Sequence, residues 1–404
     1  MDREHVLLLD RSGYGRYRTA DGRPFLDPDA FEVSLAMQPD RADGAHPGEL
    51  ARVVPVDLGD EGATLRAAAA LHRWRPISRV LTVAERLVLT AGRLRGALGL
   101  PGFSLEQMLV FRDKAVMKRH FRAHGLRTPE FMEIERPTDA LPMLKRHSRI
   151  VLKPLREMGS SGVYHVDSPA ELVRLSVDGL ADYGAYEAEE FIDGELYHVD
   201  GVVEEGRPVA AIASRYLDPT DNYARGLGFR SVAVDDGPAR DTVLEFSRRV
   251  HAAVPWFSGV THLEVFLDRR SEPVLCEIGA RPGGGGIPAS FHHRYGIVLT
   301  EPALLGQLDR PLPSLVESQP PASRATGWLM VYPPSPGVLR GLRLPSVRQD
   351  WVVAVQRNRA HGERLGMPQT FSHAVAVVTV CGPDESTVVA RLDEISAATS
   401  VELD

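Results

Sequence analysis

The apolar positions in the first quarter of the chain come in short runs separated by helical segments. The runs are apolar enough for buried parallel strands, and they lie at residues 5–10, 53–56 and 79–83. Apolar residues at helical spacing predict helices over 65–74 and 84–98. The glycine turn at 11–15 lacks G-x-G-x-x-G spacing, so we interpret it as a fold signal rather than a phosphate site. Residues 1–105 are therefore predicted to form a small α/β domain.

A lysine at a strand end and a glycine-serine loop come next. Ser104 is expected to cap a helix that carries Lys114. The run at 149–154 predicts a strand that ends near Lys153, and the loop Gly159-Ser160-Ser161-Gly162 follows it. Converging backbone N–H groups and hydroxyls in such a loop bind anions, and a lysine adds a compact positive charge for phosphate. A plain hairpin turn is the alternative, and the lysine favours the phosphate site.

Alternating polar and apolar positions predict strands through most of the remaining chain. These strands lie at 163–166, 186–192, 195–203, 209–214, 326–332, 351–356 and 373–380, with helices at 168–177, 242–254 and 386–398. On the strand at 195–203, His198 and Asp200 share one face, where a structural pair and a binding role are both open. The polar segment 215–229 is long enough for a substrate loop or lid.

Two glutamates stand out in a predicted hairpin formed by residues 262–267 and 274–278. Facing residues of an antiparallel pair have a constant sum of numbers, and Glu264 and Glu277 share a midpoint in the polar turn between the strands. This register places both carboxylates on one face, with Cβ atoms roughly 4.5–5.5 Å apart. A cation is expected between them, and Mg²⁺ fits such a site. The alternative is that one glutamate faces solvent and the other pairs with Arg281 or His262. Cys276 is expected on the opposite face to Glu277, in the core.

Composition limits the class of protein. The chain has 404 residues, a net charge of −7 and two cysteines. An acidic balance without a basic stretch argues against nucleic acid as a partner, and so few cysteines suit a reducing compartment. The sequence begins without signal-peptide features and has no apolar run of about 18 residues, so we expect a cytoplasmic protein without a membrane span.

Four motifs together resemble the ATP-grasp superfamily. In chain order they are Arg112-Asp113-Lys114, the strand of Lys153 with its glycine-serine loop, Glu189-Glu190-Phe191-Ile192-Asp193-Gly194, and Glu264 with Glu277-Ile278-Gly279-Ala280-Arg281. Within the superfamily, the chain is similar to the carboxylate–amine ligases, the branch of amino-acid and dipeptide ligases. The segment Arg281-Pro282-Gly283-Gly284-Gly285-Gly286 resembles the part of these ligases that binds the substrate acid.

The resemblance implies an ATP-grasp fold of the mixed α/β (α+β) class. It implies an N-terminal α/β pre-ATP domain at 1–105 and a mobile lid subdomain with the glycine-rich loop at 106–186. A central domain with the metal-binding hairpin is expected at 187–318, and a β-rich C-terminal segment at 319–404 is expected to close it.

The resemblance also implies roles for individual residues. Contacts to ATP are expected from Lys114, Lys153, Gly159, Ser160, Ser161, Gly162, Glu189, Glu190, Phe191 and Ile192. A ribose contact is expected from Glu195, His198 or Asp200, because Leu196 stands where many relatives have a glutamate. The metal ligands are Glu264 and Glu277. The acid substrate is expected at Arg281, Gly283, Gly284 and Gly285. Arg281 and Arg230 are the expected catalytic anion contacts, with ion pairing and surface exposure as their respective alternatives.

The implied reaction uses ATP and Mg²⁺ (or Mn²⁺) to turn a small acid such as an amino acid into an acyl phosphate, which an amine attacks. Phosphoryl transfer needs positioning and charge neutralisation more than a protein nucleophile. A homodimer is expected. Two alternatives stay open: an ATP-grasp enzyme that uses a carrier-protein thiol or bicarbonate, and a nucleotide-binding protein without catalysis. Gly279, where many relatives have an asparagine, is the reason to keep the second.

Overall fold

A computed structural model describes residues 3–19, 21–182, 184–313, 315, 323–344 and 349–404 of the chain. Its first hundred residues contain β1 (Glu4–Leu9), β2 (Phe31–Met37), β3 (Leu50–Pro55), α1 (Glu61–Trp74), β4 (Arg79–Leu81) and α2 (Val88–Leu98). The four strands form a parallel sheet in the order β3-β2-β1-β4. The prediction omitted β2, and it began α2 too early because residues 85–87 form a 3₁₀ turn.

A second, smaller sheet follows. Its part of the chain contains α3 (Leu105–Leu109), α4 (Lys114–Ala123), β5 (Phe131–Ile134), α5 (Leu141–His147), β6 (Ile150–Pro154), β7 (Tyr164–Val166), α6 (Pro169–Asp178) and β8 (Tyr186–Glu190). The strand order is β5-β8-β6-β7, so the expected boundary at residue 186 falls on the first residue of β8.

The helix predicted to run from Ser104 through Lys114 is wrong, because a first helix ends at Leu109 and a second helix with its own N-cap begins at Lys114. Ser104 caps α3 through a capping box with Gln107. Asp113 then caps α4 by accepting a hydrogen bond from the Val116 backbone N–H at 3.1 Å. Lys114 therefore occupies the first position of α4, at the edge of the small sheet.

The rest of the chain forms a large antiparallel sheet, a small second sheet and the helices that accompany them. Its elements are β9 (Gly194–Glu204), β10 (Arg207–Tyr216), β11 (Phe229–Ala233), α7 (Pro238–Ala252), β12 (Gly259–Asp268), β13 (Pro273–Gly279), α8 (Ile287–Tyr295), α9 (Thr300–Gln307), β14 (Ala325–Val331), β15 (Gly337–Arg343), β16 (Val352–Arg357), β17 (Arg364–Leu365), β18 (Ala376–Gly382), α10 (Glu385–Ala398) and β19 (Ser400–Leu403). Eight strands pair in the order β13-β12-β9-β10-β11-β14-β18-β16, and β17-β15-β19 form a separate small sheet. The C-terminal strands thus complete the central sheet. The prediction omitted β15, and β18 begins later than predicted.

The register of the β12–β13 hairpin is the one predicted from the sequence. Glu264 faces Glu277, and on its other side Glu264 faces His198 of β9. A bulge follows at once, because Val265 faces Leu275 and leaves Cys276 as the extra residue. Cys276 is buried as expected, but the bulge turns its Sγ to 3.8 Å from Glu264 Oε2, so its expected position on the opposite face is wrong.

An apolar core joins the first sheet to the central sheet. Leu8 and Leu35 of the first sheet share one buried cluster with Val202 and Phe291. The Gln307 side chain also donates a hydrogen bond to the Thr82 carbonyl at 2.8 Å. These contacts fix the carboxyl end of β4 beside the segment that follows β13. None of the helices in the described part of the chain is long and apolar enough to cross a membrane.

Candidate active site

Two clefts meet at the Glu264–Glu277 pair. The first has a volume of about 520 Å³ and is lined by Lys114 and Lys153, so we call it the lysine cleft. The second has a volume of about 860 Å³, and we call it the arginine cleft because four arginines line it: Arg11, Arg86, Arg281 and Arg359. Both carboxylates line both clefts. The sequence therefore brings its predicted lysines and its predicted Arg281 to opposite sides of one acidic pair.

Lys114 and Lys153, which line the lysine cleft, keep Glu277 negatively charged where the two clefts meet. Lys114 Nζ lies 3.2 Å from Glu277 Oε2 and donates a hydrogen bond to the Glu157 carbonyl at 2.7 Å. Burial alone would raise the pKa of Glu277, but the two lysines outweigh burial and lower this pKa to about 2. Glu277 is therefore an anion at neutral pH.

A fully buried lysine lies deeper in the same cleft region. Lys118 pairs with Glu187 and, at 2.6 Å, with Glu189 Oε2, while Lys153 pairs with the other oxygen of Glu189. Burial would raise the pKa of Glu189, but these lysines lower it to about 2. Lys118 is not among the site residues predicted from the sequence. Its spacing of four residues from Lys114 was the available signal, since this spacing places two side chains on one face of a helix.

The glycine-serine loop closes the lysine cleft against the C-terminal segment. Gly159 and Ser160 both have left-handed backbone angles, with φ of 63° and 57°. A Cβ on Gly159 would lie 3.0 Å from the Phe371 ring, so the loop needs glycine there. Ser161 donates a hydrogen bond to the Gln369 carbonyl at 3.4 Å. Gly159, Ser160 and Ser161 line the cleft, and Gly162 lies just beyond it.

The segment 189–195, expected to contact ATP, divides between the cleft and the scaffold. Glu189, Phe191, Ile192 and Glu195 line the lysine cleft. The carboxylate of Glu190 instead accepts a hydrogen bond from the Glu130 backbone N–H at 3.1 Å. Glu190 therefore ties β8 to β5, because alternate residues of a strand face opposite sides.

Arg281 projects into the arginine cleft from the first turn after β13. It pairs with Glu85 of the first domain, not with Glu264 or Glu277, and donates a hydrogen bond to the Pro282 carbonyl at 2.9 Å. Burial would lower the pKa of Arg281, but Glu85 outweighs burial and raises it. Glu85 is not among the site residues predicted from the sequence. Its position shortly after β4 was the available signal, because ligands of α/β sheets bind at the carboxyl ends of strands.

The glycines after Arg281 have two different environments. Gly284 and Gly285 line the arginine cleft. Gly283 is buried, and a Cβ there would meet Asp200 and Ile287. Gly283 therefore serves close packing beneath the cleft rather than its lining.

His198 and Asp200 belong to a buried network beneath Tyr216. His198 Nδ1 lies 2.6 Å from Asp200 Oδ2, and His262 Nδ1 lies 2.8 Å from Asp200 Oδ1. The His198 ring stacks on Tyr216 at 4.8 Å between centroids, which places both His198 and Asp200 behind the wall of the lysine cleft. Of the three expected ribose contacts, Glu195 is thus the one that lines the cleft.

Arg230 lies on the side of β11 that faces away from the clefts. Its neighbour Phe229 lines the arginine cleft, and successive residues of a strand point to opposite faces. Arg230 forms a two-point ion pair with Asp218 at 2.8 and 2.9 Å and a further pair with Asp393. The expected role as an anion contact does not fit this position.

The facing carboxylates suit a divalent cation. Glu264 Oε1 accepts a hydrogen bond from the Tyr216 hydroxyl at 2.8 Å, and Glu277 contacts Lys114, so each acid is oriented toward the junction. Hard oxygen donors of this kind are the ligands that Mg²⁺ prefers. A Cβ on Gly279 would make only ordinary contacts, at 3.6 Å from the Arg281 side chain, so the glycine is not required by packing.

Comparisons with known proteins agree with this geometry. Residues 31–102 match the family model of the ATP-grasp N-terminal domain. The chain is 25% identical over 238 residues to an L-arginine-specific L-amino acid ligase from Bacillus subtilis, with 57% of each chain covered. It is 27% identical over 253 residues to a D-alanine–D-alanine ligase from Anaeromyxobacter dehalogenans, with 57% of this chain and 76% of the relative covered.

A solved structure shows the same fold over the whole chain. An L-amino acid ligase from Bacillus licheniformis superposes with a TM-score of 0.77 at 18% identity, and 100% of both chains is covered. The match to the Bacillus subtilis relative, by contrast, spans a little over half of that relative's length. The mixed α/β architecture, the matched N-terminal domain and the structural likeness together show that the chain has an ATP-grasp fold.

Proposed function

We propose that this chain is an ATP-dependent carboxylate–amine ligase that forms an amide or peptide bond on an amino acid or a related small acid. The observation that carries the proposal is the meeting of the lysine cleft and the arginine cleft at Glu264 and Glu277. A polyphosphate among the lysines and an acid beside Arg281 would meet at these two carboxylates. This is the arrangement that transfer of a phosphoryl group to a carboxylate requires.

The lysine cleft is the proposed ATP site. The predicted residues that line it are Lys114, Lys153, Gly159, Ser160, Ser161, Glu189, Phe191, Ile192 and Glu195. The lysines offset the phosphate charge, and the glycine-serine loop lines the cleft beside Phe371. Glu264 and Glu277 would hold Mg²⁺ or Mn²⁺, which neutralises phosphate charge when it is bound.

The proposed reaction has two steps, a phosphoryl transfer and an acyl transfer. A carboxylate oxygen of the acid attacks the γ-phosphorus of ATP, and ADP leaves. The amine nitrogen then attacks the acyl carbon, phosphate leaves, and the nitrogen loses a proton to give the amide. Arg281, already fixed by Glu85, would orient the acid through its planar fork.

The size and lining of the arginine cleft support an organic acid over bicarbonate. A cleft of about 860 Å³ with Trp328, Phe229 and Phe371 in its wall is far larger than an anion of four non-hydrogen atoms needs. The names of the relatives also point to amino acids as substrates. We further propose that the protein is a homodimer, and light scattering tests this. The alternative acceptor to an amine is the thiol of a carrier protein.

Phosphate release tests the function. Purified protein is incubated with ATP, Mg²⁺ and pairs of amino acids, and release that requires both substrates is the expected result. Glu277→Gln is expected to abolish release, whereas Glu272→Gln in the exposed turn of the same hairpin is expected to leave it unchanged. Full turnover by Glu277→Gln, or ATP binding without release for any pair, would contradict the proposal.

A further inference from the structure

We infer that the activated acid is an amino acid with an apolar side chain, aliphatic or aromatic, which is held on a wall formed by Phe229, Ile287, Trp328 and Met330. The inference rests on the proposed function and narrows its substrate class.

The wall results from the alternation of β14. Trp328 and Met330 line the arginine cleft, whereas Leu329 and Val331 face the apolar core of the C-terminal segment. Phe229 of β11 packs against Trp328, with 5.6 Å between ring centroids. The central sheet therefore presents a continuous apolar surface to this part of the cleft.

The wall begins directly beneath the glycine segment that follows Arg281. A Cβ on Gly285 would lie 3.3 Å from Met330 Sδ and 3.5 Å from the Trp328 ring. An acid whose carboxylate lies between Arg281 and the Glu264–Glu277 pair can pass its side chain over Gly285. Trp328 and Met330, which line the cleft beside Gly285, then form the apolar surface that this side chain can contact.

The charges in the cleft exclude a basic side chain. Among the described residues that line the arginine cleft, Glu264 and Glu277 are the acids, and both are at the junction with the lysine cleft. The wall of Phe229, Ile287, Trp328 and Met330 offers no carboxylate, so an ammonium or guanidinium group placed against it would lose water without gaining a partner.

An acidic side chain is the rival occupant, because four arginines line the cleft. Two of them already have partners: Arg86 pairs with Glu157 at 2.9 Å and Arg359 with Glu363 at 3.0 Å. Neither belongs to the wall beneath Gly285. The apolar contacts therefore favour an apolar side chain, and acidic amino acids are included in the test.

Hydroxylamine trapping identifies the activated acid without the natural amine. The protein is incubated with ATP, Mg²⁺, hydroxylamine and one amino acid at a time, and the acyl hydroxamate is measured. Leucine, methionine and phenylalanine are expected to give a kcat/KM about 100-fold above that of arginine, lysine, aspartate or glutamate. A preference for a charged amino acid would overturn the inference and leave the ligase function intact, whereas no hydroxamate from any amino acid would overturn both.

Variants at Met330 test the wall itself. Met330→Glu is expected to raise the kcat/KM ratio of arginine to methionine by about 100-fold, because it places a carboxylate in the wall. Met330→Leu keeps the volume and is expected to keep the preference. If Met330→Glu does not fold, Met330→Ala is expected to shift the preference toward larger apolar side chains. An unchanged order of substrates in both Met330→Glu and Met330→Ala would refute the placement.

Discussion

The ammonium group of Lys118 holds two buried carboxylates together, and its removal is predicted to be strongly destabilising. Lys118 is fully buried and pairs with Glu187 and Glu189. In Lys118→Met, Lys153 still neutralises Glu189, but Glu187 loses its direct ion pair. Its Oε2 already has no hydrogen-bond partner among the described residues. Breaking one buried ion pair costs about 3–5 kcal/mol, which is the loss we expect in the free energy of unfolding.

Urea unfolding at pH 7 measures this loss. The matched control is Lys145→Met, which removes an exposed lysine from α5 and is expected to change stability by less than about 0.5 kcal/mol. The double variant Lys118→Met with Glu187→Gln is expected to recover much of the loss, since it leaves no uncompensated charge at position 187. Equal stability of Lys118→Met and Lys145→Met, or no recovery in the double variant, would refute the reasoning.

Three further predictions follow from the placement of individual side chains. Arg281→Lys keeps the charge but loses the planar fork, so kcat/KM for the acid is expected to fall about 10- to 100-fold in steady-state assays, while KM for ATP is unchanged. Arg230→Gln is the contrasting change: Arg230 lines neither cleft and its partners lie outside the arginine cleft, so KM for the acid is expected to stay constant with a stability loss of about 1 kcal/mol. Burial lowers the pKa of His251 from 6.5 to about 4. The unfolded chain therefore binds a proton that the buried ring does not, so stability is full above pH 6.5 and falls by about 3 kcal/mol as the pH falls from 6.5 through about 4. His251→Gln is expected to flatten this part of the stability profile in urea titrations.

The sequence predicts the acidic hairpin well because pairing in an antiparallel sheet follows simple arithmetic. The opposition of Glu264 and Glu277 is confirmed. The bulge at Cys276 is not predictable in this way, because alternation along one strand does not show which strand carries an extra residue. A one-residue insertion changes the face of a side chain, which is why Cys276 lies beside the acids rather than opposite them.

The site residues that the sequence does not predict correctly are those whose positions depend on contacts distant in the chain. A lysine in a helix is usually exposed, so the four-residue spacing from Lys114 places Lys118 on the same helix face but does not predict its burial. Its burial follows from β8, which lies about 70 residues later in the chain and brings Glu187 and Glu189 to it. Arg230 shows the converse error, since a loop-end arginine suggested an anion contact while the face of β11 directs it to Asp218.

The transfer of oxygen from acid to phosphate tests the central claim most directly. The activated amino acid is labelled with ¹⁸O in its carboxylate and incubated with ATP, Mg²⁺ and an amine, and the released phosphate is analysed by mass spectrometry. We predict a single ¹⁸O atom in each phosphate, because the oxygen that attacks the γ-phosphorus leaves with it when the amine displaces the acyl group. Phosphate that carries only unlabelled oxygen would contradict the formation of an acyl phosphate where the two clefts meet.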